Sequence, residues 1–381
     1  MSAELHRHAD AALAQGRIAE AIAILEGLSL SDPGDFPAWI KLATLYRRGG
    51  EIQRALDAVN AALASQPNEF LALLLKGSLH EQLGEGGRAA EVYRAAVFHA
   101  ESLPQIPTPV AQQLDRARNF LGAWRAGVVA QMPVLEGISS EHRARAERLI
   151  ENALDRRAIY HQEPTHYRYP GLADIEYFDH AYGELRERLR QAYPDIRAEF
   201  EALIARHGER QTPYVDFAPG QPMGQWAPLN RSPDWNVFHL IRYGEIEPLN
   251  AAACPRTLEA MVGPHQPDVA GITPNLMFSL LAPRTRIPPH HGVANFRVVL
   301  HLPLIVPRDC FFRVGADTRQ WVEGEPWVFD DCIEHEAWND SDELRVVLIA
   351  DLWRPELDGT DRSVIREFIA AQAINSDIGA L

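Results

Sequence analysis

Pro288-Pro289-His290-His291-Gly292-Val293-Ala294-Asn295-Phe296-Arg297-Val298-Val299-Leu300-His301-Leu302-Pro303-Leu304 is the stretch on which the reading of this chain turns. Side chains of a strand alternate between its two faces. From Asn295 onward one face carries Asn295, Arg297, Val299, His301 and Pro303, and the other carries Phe296, Val298, Leu300, Leu302 and Leu304. The second face is wholly apolar and belongs in a core. The first sets an arginine and a histidine among apolar neighbours, which is costly in an interior unless they meet partners. Taken alone, the strand leaves two readings open: a solvated face, or the wall of a polar cavity.

Around this strand lie other short apolar runs separated by turn residues. Asn275–Leu281, Cys310–Val314, Glu325–Asp331 and Glu343–Leu352 read as strands, alongside Asn295–Val306 itself. Many short strands with turns between them predict a sandwich or jelly roll. Proline, glycine and aromatic residues become frequent after Pro170, one helix is expected over about Ala181 to His207, and another closes the chain from Asp361.

The first hundred residues follow a different rule. Gly16, Gly50 and Gly84 stand 34 residues apart, as do Ala21, Ala55 and Ala89, and Pro33 and Pro67 repeat the interval. That period is the tetratricopeptide repeat's, a pair of helices per unit. Glycine suits the end of each first helix, where a left-handed conformation costs it little. Alanine suits the crossing of the paired helices. Three copies, at 2–35, 36–69 and 70–103, are expected to stack into a short solenoid. Pro104 and Pro107 mark its exit, and Val110 to Met132 and Ser140 to Ala158 read as further helices, either a cap or a connector. The expected domains are therefore 1–103 for the repeats, 104–165 for the helical connector or cap, and 166–381 for the β-rich part.

Composition narrows the partners. The 381 residues carry a formal net charge of −15, which disfavours nucleic acid and anionic membrane surfaces. Only Cys254, Cys310 and Cys332 occur, too few and too scattered for a disulfide framework. There is no secretion signal and no apolar stretch long enough to span a bilayer, so a cytoplasmic location is expected.

The chemistry-bearing residues cluster in the β-rich part. Beyond the opening stretch come Phe329-Asp330-Asp331-Cys332-Ile333-Glu334-His335-Glu336-Ala337-Trp338, then Arg345, then Asp351-Leu352-Trp353-Arg354-Pro355-Glu356-Leu357. A histidine before one strand, a second after a later strand and an arginine about ten residues beyond resemble the arrangement of the non-haem iron enzymes of the 2-oxoglutarate group, which carry it on a double-stranded β-helix. Imidazoles suit ferrous iron, and arginine grips a carboxylate through two parallel hydrogen bonds.

From Ser279 to Leu357 this arrangement resembles the catalytic core of the aspartyl/asparaginyl β-hydroxylases, and weaker similarity extends the match to about 165–357. The resemblance implies a double-stranded β-helix behind a tetratricopeptide solenoid, with Fe(II) as cofactor and 2-oxoglutarate as cosubstrate. It places His290 and His335 as iron ligands; His290 is preferred to His291 because it follows the proline and stands two before Gly292. It makes Arg345, helped by Ser279, the holder of the distal carboxylate of 2-oxoglutarate, with His301 also on the cosubstrate. The implied reaction is hydroxylation of a C–H group, at the β-carbon of an aspartyl or asparaginyl residue in a protein or peptide gripped by the repeats. A small amino-acid-like metabolite as substrate, and a non-catalytic interaction protein, are the alternatives.

Two positions bear on that expectation. Most 2-oxoglutarate oxygenases carry a carboxylate two residues after the first histidine. This chain has Gly292 there, a gap that the resembled family shares. The family's arginine two residues before the strand histidine is Val299 here, and Arg297 on the same face is the candidate either to replace it or to face a substrate carboxylate. Asp330 and Asp331 read as turn-formers and stand outside the ligand set.

Overall fold

The computed structural model describes residues 2–101, 106, 108–131, 139–220 and 223–375. Pro104, Pro107 and Met132, which bound expected elements, lie outside the described residues. The chain divides into two compact units, Met1–Leu154 and Asp155–Leu381.

The first unit is built from helix pairs: α1 (Ser2–Ala14) with α2 (Ile18–Ser31), α3 (Phe36–Arg48) with α4 (Ile52–Ser65), and α5 (Phe70–Gln82) with α6 (Gly86–Glu101). Gly16, Gly50 and Gly84 turn each pair at φ of 72°, 78° and 74°, a region that penalises residues with a Cβ. Ala21, Ala55 and Ala89 are fully buried where the paired helices meet. Asp35 caps α3 by accepting a 3.0 Å hydrogen bond from the Ala38 N–H. A further helix, α7 (Thr108–Ala130), closes the stack: its Leu114, Ala117 and Leu121 share a core with Tyr93 and Ala96 of α6. α8 (Ser140–Ala153) follows, five residues shorter than the sequence suggests. No helix among the described residues is long and apolar enough to cross a membrane.

The second unit opens with an extended segment and a long helix, α9 (Gly183–His207), and then becomes antiparallel β structure. One sheet of seven strands contains β1 (Thr212–Pro213), β2 (Trp235–Arg242), β3 (Glu245–Ile246), β4 (Leu276–Leu281), β6 (Arg297–Ile305), β9 (Trp327–Phe329) and β11 (Arg345–Trp353). Its path is β1-β2-β4-β11-β6-β9, with β3 paired to β2. The second sheet, in the order β5-β10-β7-β8, comprises β5 (Thr285–His290), β7 (Cys310–Val314), β8 (Asp317–Gln320) and β10 (His335–Asn339). This is the jelly-roll sandwich that the strand pattern predicts. Two short helices, α10 (Pro248–Ala253) and α11 (Pro255–Met261), join β3 to β4, and α12 (Gly359–Asn375) follows the last strand.

The apolar face of the opening strand does what its composition requires. Val298, Leu300, Leu302 and Leu304 are wholly buried in one core with Leu189, Ile196 and Phe200 of α9. At roughly 1.5–3 kcal/mol for each large apolar side chain buried, this layer anchors α9 to the outside of the larger sheet. The opposite face looks between the two sheets, where the site lies.

Candidate active site between the sheets

All six residues singled out from the sequence, Ser279, His290, Arg297, His301, His335 and Arg345, line one cavity of about 280 Å³ between the sheets. That volume is the size of a small-molecule site. The polar face of β6 is therefore a cavity wall, and the first of its two readings, exposure to solvent, is excluded.

His290 ends β5 and His335 begins β10, and the two stand in register on neighbouring strands. Their ring centroids are 3.9 Å apart. His290 Nδ1 lies 2.7 Å from the Pro288 carbonyl oxygen, and His335 Nδ1 lies 3.1 Å from that of Ile333. A carbonyl oxygen only accepts, so each Nδ1 carries the proton and donates. Each Nε2 is left with a bare lone pair, the form in which imidazole binds a metal. Burial, with the opposing ring's charge, pulls His290 well below the ordinary histidine range, and burial pulls His335 down to about 3. Both rings are neutral at pH 7.

Arg345, the first residue of β11, is 2% exposed, and no carboxylate lies within ion-pair distance of it among the described residues. Its Nε has no hydrogen-bond partner, and its guanidinium sits 4.9 Å above the Trp321 ring. Burial pulls it down to about 10, so it is still charged at neutral pH. Two other arginines sunk in this unit are paired: Arg354 with Asp330 at 2.5 Å, and Arg297 with Asp331 at 2.9 Å and Asp351 at 3.0 Å. Ser279, on the adjacent strand β4, accepts from Trp235 Nε1 at 3.0 Å and keeps its own hydroxyl hydrogen to donate. His301 Nδ1 lies 3.4 Å from Trp321 Nε1–H, so its proton sits on Nε2. Burial first, then the Arg345 charge, holds His301 well below the usual range.

Asp331 is the site residue that sequence reasoning left out. A Cβ built on Gly292 would stand 2.1 Å from Asp331 Oδ2 and 2.3 Å from its Cγ. Asp331 thus fills the space that a side chain at 292 would need, and glycine is required there by close approach rather than by its dihedral freedom. The same aspartate holds Arg297, while Asp351 accepts from Asn275 through its backbone N at 2.9 Å and its Nδ2 at 2.7 Å. Arg297 keeps its proton between two buried carboxylates despite the cost of burial. Its charge is committed before any ligand arrives. Asp330, Asp331 and Cys332 cluster closely enough to suggest a cation site, but both acids already face guanidinium groups.

With this geometry in hand, likeness to known proteins decides the family. Residues 190–355 match the aspartyl/asparaginyl β-hydroxylase family, and residues 12–97 match the tetratricopeptide repeat. The chain carries an aspartyl/asparaginyl β-hydroxylase domain behind tetratricopeptide repeats. Among its relatives, the ornithine lipid ester-linked acyl 2-hydroxylase of Rhizobium tropici is 33% identical over 196 residues, covering 51% of this chain and 66% of that protein. The aspartate β-hydroxylase domain-containing protein 2 of Xenopus tropicalis is 29% identical over 213 residues, 55% of each chain. The human aspartyl/asparaginyl β-hydroxylase is 30% identical over 183 residues, 48% of this chain and 22% of its own length. The match thus spans less than two thirds of each relative.

Proposed function

We propose that this β-hydroxylase domain is an Fe(II)- and 2-oxoglutarate-dependent dioxygenase that hydroxylates a C–H group, at the β-carbon of an aspartyl or asparaginyl residue in a protein or peptide. The observation that carries the reading is Arg345, a fully buried guanidinium with no carboxylate partner among the described residues. A buried unpaired charge is strongly disfavoured unless something of opposite charge joins it. A dicarboxylate reaching the cavity floor supplies that charge, with Ser279 donating a second hydrogen bond.

The residues also fit a metal. Two neutral imidazoles side by side, each with Nδ1 held by a carbonyl and Nε2 unprotonated, form a donor set suited to ferrous iron. When bound, iron and 2-oxoglutarate together supply the oxidising chemistry: one oxygen atom of O2 enters the substrate C–H bond, and the other enters succinate as the keto acid loses CO2. The protein's share is to hold and exclude. His290 and His335 would hold the metal, Arg345 and Ser279 would anchor the distal carboxylate, and His301 would donate from Nε2 toward the cosubstrate. The aromatic wall of Trp226, Trp235 and Phe329 keeps water from the reacting carbon. Arg297 acts through Asp331, fixing a carboxylate beside Gly292 where other oxygenases carry one in sequence. The repeats would hold an extended part of the substrate protein.

Calorimetric titration of 2-oxoglutarate into Mn(II)-loaded protein tests this reading. Stoichiometric binding should occur in the wild type and weaken at least about tenfold in Arg345→Gln, the loss of a charge-assisted pair. Equal binding in both would remove Arg345 from the assignment.

A further inference from the structure

Three arginines line the cavity, Arg242, Arg297 and Arg345. Arg297 is committed to Asp331 and Asp351, and Arg345 lies on the floor. Arg242 stands at the lip with no carboxylate within ion-pair distance among the described residues, although Glu245 faces it in register across the β2–β3 hairpin.

Arg242 reaches the cavity because β2 is irregular. Trp235 and His239, an even number of residues apart, both line the cavity, and continued alternation would send Arg242 to the opposite face. The pairing of β2 with β4 shifts register between His239 and Ile241. Leu240 and Ile241 consequently both enter the core beneath α9, and Arg242 returns to the side of His239. Bulges commonly re-aim a side chain in this way beside a functional site. The turn that follows is held at some cost. Tyr243 has φ of 52° and Gly244 φ of 87°, so a tyrosine occupies a left-handed position where asparagine or glycine is usual. Asn275 Oδ1 pins it by accepting from the Tyr243 N–H at 2.9 Å, and the Arg242 guanidinium lies 5.2 Å over the Tyr243 ring.

His239 is the second polar group of the lip. Its Nδ1 is buried without a partner, and it lines the same cavity. Burial and the nearby Arg242 charge keep the ring neutral at pH 7, able to donate one hydrogen bond to an anion beside Arg242.

We infer that Arg242 and His239 form an anion-recognition lip that selects a substrate carrying a carboxylate or phosphate oxyanion next to the carbon that is hydroxylated. This deepens the proposed function and rests on it: Arg345 takes the cosubstrate at the floor, and Arg242 takes the substrate at the mouth.

The test uses the full chain with saturating Mn(II) and 2-oxoglutarate, so that the floor is filled and no turnover occurs. N-acetyl-L-aspartate and glycerol 3-phosphate are titrated separately while tryptophan fluorescence is followed, since Trp226 and Trp235 line the cavity. One of the two anions should bind, at least about tenfold more weakly in Arg242→Gln and in part restored by Arg242→Lys, as expected for a charge-assisted bond. Which anion binds separates an acidic residue from a phosphorylated substrate. Binding of 2-oxoglutarate itself should be unchanged in Arg242→Gln, which also shows that the variant folds. The same titrations on metal-free Arg345→Gln protein keep the lip testable on its own. If neither anion binds in either background, or if Arg242→Gln leaves binding intact, the lip assignment falls. If instead 2-oxoglutarate fails to bind the Mn(II)-loaded wild type, the dioxygenase reading falls, and the metal-free titration still decides the lip.

Discussion

Replacing Gly292 with alanine puts the packing around the histidine pair under a single methyl group. The added Cβ would lie 2.1 Å from Asp331 Oδ2, 2.3 Å from Cγ and 2.7 Å from Oδ1. Ordinary C···O contact begins near 3.3 Å, so the carboxylate must retreat by about 1 Å. It has little freedom to do so, because Arg297 holds it at 2.9 Å and the Asp331 carbonyl accepts from Gly292 N–H at 2.6 Å. A retreat of that size breaks the bond to Arg297 and leaves the buried Asp331 carboxylate poorly paired, while Arg297 keeps Asp351. The loss is about 2–4 kcal/mol, between that of a charge-assisted hydrogen bond and that of a broken buried ion pair. For a domain of this size the melting temperature should fall by roughly 5–15 °C. Urea denaturation followed by tryptophan fluorescence reads mostly this unit, because six of the eight tryptophans belong to it and only Trp39 and Trp124 to the first. Combining Gly292→Ala with Asp331→Ala should cost no more than Asp331→Ala alone, a coupling that two independent substitutions would not show. A Gly292→Ala protein within about 0.5 kcal/mol of wild type, or strictly additive costs, would refute the close-approach argument.

Arg345→Met removes a buried charge that has no carboxylate partner, so it should stabilise the ligand-free protein by about 1–3 kcal/mol while abolishing 2-oxoglutarate binding, measured by denaturation and calorimetry on the same sample. His239 has its pKa depressed to about 4 by burial and the Arg242 charge, against about 6.5 unfolded. Its contribution to stability is complete above pH 6.5 and is lost as pH falls toward 4, because the unfolded chain then binds the extra proton. His239→Gln should therefore flatten the decline in stability between those pH values by up to about 1.4 kcal/mol per pH unit. In the repeats, Ala55 is fully buried where α3 and α4 meet, and Ala55→Leu should destabilise the first unit by about 1–3 kcal/mol through overpacking, seen as a lower helix melting temperature by circular dichroism.

The repeat unit was legible because its signal is periodic. Evenly spaced glycines and alanines report backbone conformation and helix contact directly, and both appear where expected. The strands were legible where an apolar run stands between turn signals, as in β4, β6, β7 and β11. β6 and β11 are long and buried on both sides, and their positions fall within a residue or two of the reading. β5 and β10 went unseen: Thr285–His290 contains two prolines, and His335–Asn339 has its two apolar residues, Ala337 and Trp338, side by side rather than alternating. Both are strands because the sandwich pairs them, a tertiary cause that local pattern does not carry. That omission hid the geometry of the histidines, which sit in register across these two strands. Asp331 was invisible for a similar reason. Two consecutive aspartates after a strand read as a turn, and only the fold brings Asp331 against Gly292, 39 residues earlier in the chain. The one available sign was the pair of oddities itself, a glycine where oxygenases carry an acid and an unexplained acid near the second histidine. Arg297 was placed correctly on the cavity face, but its two carboxylate partners come from other segments and could not be assigned from alternation. The β2 bulge, which brings Arg242 to the cavity, lies in a strand the sequence pattern did not single out.

The central claim is that His290 and His335 hold ferrous iron while Arg345 positions 2-oxoglutarate upon it. Adding Fe(II) and 2-oxoglutarate to the purified chain without oxygen and recording the visible spectrum tests it most directly. The expected result is a weak metal-to-ligand charge-transfer band that is absent from folded His335→Ala protein. Folded wild-type protein that shows no band at saturating iron and cosubstrate, or a band that persists in His335→Ala, would contradict it.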